Sequence, residues 1–192
     1  LPFLQYLFKD NFSIIPIIIG TMSHEVCSEI ANRLEPYFTA ENLFIISTDL
    51  SHYPEYNDAF KVDHNTISEV CRNNPSKLIE YLHETDKKNI PGLMTSMCGW
   101  TSVLTLLYLT FGNSLIQYYP ILYQNSGDIP IYGEKHRVVG YQSVVITQKK
   151  QKKNELFENH GNVSDESENI KINSTGETEE KCIDPQLDGI SA

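Results

Sequence analysis

The sequence predicts an α/β fold, a central sheet flanked by helices. Three observations carry that expectation. Short, nearly all-apolar runs such as "FSIIPIIIG" and "LFIIS" alternate with longer segments of helical period. Strands that read as continuous apolar runs belong to sheets covered on both faces. One such run, residues 43–46, ends abruptly in Ser47, Thr48, Asp49, Ser51 and His52. Polar residues of that kind at the carboxyl end of a strand stand where α/β sheets bind their ligands.

Taken in order, "LPFLQYLFKD" spaces Leu1, Leu4 and Phe8 as a short helix does. "FSIIPIIIG" is rich in β-branched residues and reads as a buried strand. "SHEVCSEIANRLEPYF" reads as a helix with Ser23 as N-cap, placing Cys27, Ile30, Ala31 and Leu34 on one face. Glu25 and Glu29 lie toward its start, where the helix dipole favours acids. "LFIIS" is the second strand. "NDAFKVDHNTISEVCRN" and "PSKLIEYLHETD" read as two helices, the second opening on Pro75 near N1. An apolar helix follows in "CGWTSVLTLLYLTFG". "SLIQYYPILYQN" and "VVGYQSVVIT" are the last strands, joined by the Gly- and Pro-bearing loop "SGDIPIYGEKHR".

The 192 residues are 40% hydrophobic and carry a net charge of −10. From Gln151 to Ala192, four Lys oppose ten Asp or Glu, giving −6 and leaving −4 for the remainder. That balance argues against nucleic acid or an anionic membrane as the main partner. The acidic segment has little apolar content and no periodicity, so it cannot offset its chain entropy by burial. The chain therefore divides into a domain at 1–148 and an acidic disordered tail or linker at 149–192. No apolar run reaches the ~20 residues that span a bilayer, and no signal peptide is visible. The four cysteines include no CxxC pair, so a cytoplasmic protein with reduced thiols is expected. The chain opens on an apolar, uncapped segment and is read as a piece of a longer protein.

Two places carry chemistry. A turn after the "LFIIS" strand can converge Asp49 and His52. Such a pair suits a divalent metal or a carboxylate that fixes an imidazole tautomer. The local alternative is that Asp49 caps a turn beside a loop histidine. Cys98, in "SMCGW", precedes the apolar helix and meets the positive end of its dipole. A thiol there suits a nucleophile or a soft metal ligand, or it is a small buried hydrophobe. Cys27 reads as core, and Cys71 ends a helix. His24, His64, His83, His136 and His160 read as surface. Gly127, Gly133, Lys135 and Arg137 give the last loop an anion-binding look without a Walker motif; an ordinary connection fits equally.

"FIISTDLSHYPEYNDA", "TSMCGWTSVLTLL" and "YQNSGDIPIYGEKHRVVGYQSVVI" resemble, in that order, three signature blocks of the Memo family, over about residues 1–147. The last block is most similar to prokaryotic members, of the AmmeMemoRadiSam system protein B type. The resemblance implies a LigB-like fold, that of the class III extradiol dioxygenases, here incomplete at the amino terminus. It implies an iron or copper ion held by Asp49, His52 and Cys98, with further histidines expected upstream of Leu1. Metal binding by these three alone is expected to be weak or absent. Trp100 stands where many members carry a basic residue. The functions implied are a metal-dependent oxidoreductase in which His52 serves as acid/base, or a non-catalytic adaptor that binds protein or peptide in the same cleft. An AMMECR-type domain and a radical SAM protein are the implied partners.

Overall fold

The computed structural model describes residues 1–9 and 11–149. The segment read as a disordered tail, with Cys182 and His160, lies outside the described residues apart from Lys149. Among the described residues, five α-helices and two strands form: α1 (Pro2–Phe8), α2 (His24–Leu34), α3 (Tyr56–Cys71), α4 (Pro75–Lys87), α5 (Trp100–Thr110), β1 (Ile116–Asn125) and β2 (Gly140–Gln148). No helix among the described residues is long and apolar enough to cross a membrane.

The helices form where spacing and caps place them. Ser23 caps α2 by accepting the Val26 N–H, and Asn74 caps α4 from Lys77, with Pro75 following it. α5 is apolar all round and is the central helix; Val103, Leu104, Leu106 and Leu107 are buried on it. α2 packs on α5 through Cys27 and Ala31, which are both buried. α4 packs on α5 and α3, and α3 lies against β1 and β2. Leu50, Ile67, Val70, Leu78, Met97, Leu107, Tyr118 and Tyr123 share one core cluster. A polar tie closes its far side, where Asn73, Thr110 and Tyr118 bond one another. Burial pushes the Tyr118 phenol up to about 12, so its hydroxyl stays protonated for this tie.

The sheet differs from expectation. β1 and β2 pair antiparallel with an irregularity between Pro120 and Leu122, forming a two-stranded ribbon. The runs at 12–20 and 43–47, expected as buried strands, join no ladder among the described residues. The physical reason is that a strand exists through its partner: its alternate N–H and C=O groups need a neighbour. Without one, apolar side chains stay outside, as Ile15, Ile18 and Leu43 do, Ile18 at 94% exposure. α1 is likewise uncovered at Phe3, Tyr6 and Leu7.

Candidate metal centre

Three chain segments meet at one point. The backbone of His52 bridges antiparallel to Thr95 on one side and to Val139 on the other. His52 N–H donates to Thr95 O at 3.0 Å, and Met94 N–H returns a bond to His52 O at 3.0 Å. On the other side, Tyr53 N–H donates to Val138 O at 2.7 Å and Gly140 N–H to Ser51 O at 3.0 Å. The 49–53 segment is thus the middle of a short three-way crossing, and this holds its two polar side chains.

Asp49 and His52 face each other, with Asp49 Oδ2 3.7 Å from His52 Nε2. Cys98 reaches them from the turn before α5. Its sulfur accepts the Asp49 N–H at 3.3 Å, and Cys98 N–H donates to Asp49 O at 3.2 Å. Thr48 completes this tie: its hydroxyl donates to Asp49 O and accepts the Gly99 N–H at 2.8 Å. Gly99 permits the approach, because a Cβ there would lie 2.8 Å from Thr48 Cβ. One ligand atom each from Asp49, His52 and Cys98 lies within 4.8 Å of the others. Ligands about 2.0–2.3 Å from a common ion sit about 3.5 Å apart, so small side-chain rotations close the set.

The donor set fits a transition metal: carboxylate oxygen, imidazole nitrogen and thiol sulfur. A second observation agrees. His52 Nε2 is buried and has no hydrogen-bond partner among the described residues. A buried imidazole nitrogen left so is costly unless something binds there.

The basic loop lies on the flank. The Arg137 guanidinium sits 4.0 Å over the Tyr53 ring, and Lys135 sits 4.7 Å over Tyr56. His136 Nδ1 lies 3.7 Å from Glu55 and is exposed, as expected. His24 and His83 meet near Trp100 rather than at the centre. His64 is a correction. It was expected on the surface but is half-buried, stacked on Phe60 at 3.9 Å and against Tyr123 at 4.9 Å. The aromatic face that covers it comes from β1, 59 residues away in sequence, and local charge pattern does not reveal that.

Sequence reasoning missed Asp63, on α3. It is fully buried, at 0% exposure. Its Oδ1 accepts the Ser51 N–H at 2.8 Å and its Oδ2 accepts the Tyr123 hydroxyl at 2.8 Å. A signal was present: Asp63 falls on the buried stripe of α3 with Ala59, Val62, Thr66, Ile67 and Val70. An acid on a core stripe needs dedicated partners.

Burial pushes the Asp63 carboxyl above the usual range, against hydrogen bonds from Ser51 and Tyr123 that pull it down. A carboxyl with a higher pKa folded than unfolded makes stability fall as pH rises from the unfolded pKa through the folded one. Each unit of separation is worth about 1.4 kcal/mol. Asp63→Asn cannot titrate, so its stability relative to wild type should rise with pH across that window and stay level above it. Urea unfolding at a series of pH values checks this, and a stability of Asp63→Asn relative to wild type that falls or stays level across that window contradicts it.

Fold and site together define a mixed helix-and-strand domain with a candidate metal-binding centre. The family model described as Memo-like protein matches residues 1–145, and the chain belongs to the Memo family. A MEMO1 family protein of Thermotoga petrophila is 34% identical over 148 residues, covering 76% of this chain and 48% of that protein. One of Thermoplasma acidophilum is 32% identical over 150 residues, covering 76% and 50%. One of Methanosarcina mazei is 28% identical over 151 residues, covering 76% and 52%. The chain spans about half the length of the curated relatives it matches.

Proposed function

We propose that this chain is a metal-binding domain in which Asp49, His52 and Cys98 ligate an iron or copper ion. The observation that carries the reading is the convergence of three unlike donors around a buried His52 Nε2 that makes no hydrogen bond among the described residues. When bound, such an ion supplies Lewis-acid and redox chemistry. The chain's own residues do the rest. The 49–53 crossing orients the carboxylate and imidazole, the Thr48 hydroxyl and Asp49 N–H hold the sulfur, and Arg137 and Lys135 place positive charge on the flank. His52 is the group for acid/base work when it is not ligating. The proposal extends to a LigB-like sheet. The exposed isoleucines at 14–18 and the 43–45 run are apolar surface that further strands of a longer family domain would cover. Cooperation with AMMECR-type and radical SAM partners belongs to the same proposal.

The test is metal content by mass spectrometry after loading and dialysis, with Cu(I) and Fe(II) compared. Thiolate prefers the softer ion, so Cys98→Ser should weaken Cu(I) more than Fe(II). Unchanged Cu(I) affinity in Cys98→Ser would sink the reading.

A further inference from the structure

We infer that Asp63 is a positioning residue for this centre: its carboxylate anchors the Ser51 amide and so sets the spacing of Asp49 and His52. The inference rests on the metal reading above. Ser51 lies between the two candidate ligands. Its carbonyl is already engaged by Gly140 N–H at 3.0 Å, and its N–H points at Asp63 Oδ1 at 2.8 Å. Asp63 is in turn held from the other side by Tyr123 on β1. Asn125 donates to the Tyr123 hydroxyl at 3.4 Å and so orients it. The backbone of Gly140 closes over the carboxylate, and a Cβ at that position would lie 1.8 Å from Oδ2. A buried acid is a costly choice for a core position. An apolar residue on this stripe would pack α3 but leave the Ser51 amide without its acceptor. The acid therefore serves the 49–52 turn rather than the helix. Its two oxygens are each committed, one to the turn and one to the strand, which ties the ligand segment to the ribbon behind it.

The test uses the whole chain and Co(II), whose thiolate charge-transfer band reports a Cys98-bound ion. Asp63→Leu removes the acceptor and should weaken Co(II) at least about 10-fold, the usual cost of losing a group that orients a ligand. Asp63→Asn keeps an oxygen for the Ser51 N–H and should stay within about threefold of wild type. Leu78→Ala, a core truncation on α4 that touches none of the Asp63 hydrogen bonds, controls for lost stability and should leave affinity unchanged. Asp63→Leu binding as wild type does overturns the inference, as does Leu78→Ala weakening Co(II) equally. Should Asp63→Leu fail to fold, Tyr123→Phe decides. It frees only Oδ2, and a several-fold weaker Co(II) affinity supports the inference while an unchanged one overturns it. A wild-type chain that shows no Co(II) band at saturating metal overturns the metal reading itself, and the inference with it.

Discussion

His52→Ala lowers the affinity of this chain for Fe(II) or Co(II) by more than about 100-fold, beyond what losing an orienting group alone costs. The substitution removes a buried imidazole nitrogen that makes no hydrogen bond among the described residues. It leaves the backbone bonds of residue 52 to Thr95 and Met94 in place, so the crossing survives and the loss reads on the site rather than on the fold. Equilibrium dialysis followed by elemental mass spectrometry, with circular dichroism to confirm folding, measures it. Full retention of metal by the variant would place the ion elsewhere.

Gly140→Ala is the second large effect, expected on stability. A Cβ at Gly140 would meet Asp63 Oδ2 at 1.8 Å and Cγ at 2.6 Å. Retreat breaks a bond, because the Ser51 N–H and the Tyr123 hydroxyl hold the carboxylate from both sides. Either the helix shifts or Asp63 releases Ser51. Overpacking a tight site costs about 1–3 kcal/mol, and breaking a bond to a buried charged group adds about 1.5–3 kcal/mol. Thermal unfolding should show a midpoint lowered by roughly 2–4 °C for each kcal/mol in a chain of this size. A midpoint within a degree of wild type would show that the contact relaxes at no cost.

The helices were legible because their signals are local. Ser23, Asn74 and Pro75 mark starts, and the buried stripe of α3 repeats at helical spacing. β1 and β2 were legible for the same reason, as apolar runs bounded by turn residues. Asp49, His52 and Cys98 stood out because a strand end and a helix start gather polar groups. Their meeting is a tertiary fact, fixed by Thr48 reaching Gly99 across 51 residues. The runs at 12–20 and 43–47 could not be read correctly from composition. Apolar content says that a segment wants burial, and only a partner makes it a strand. Asp63 stayed hidden because the residue it serves, Ser51, lies 12 positions away on another element.

The Asp49–Cys98 tie spans 49 residues, and the Val139 bridge reaches further still. Contacts of such separation form only after the intervening chain has lost its freedom. We expect the crossing at His52 to complete late, after α3, α4 and α5 have found one another, which low φ-values at residues 49–53 would check. An ion gripping residues 49, 52 and 98 acts on interactions that the folding barrier does not yet contain, and stabilisation of that kind slows unfolding while leaving the folding rate nearly untouched. On the proposed centre, a bound ion would lengthen the lifetime of the native state and do little to hasten its arrival.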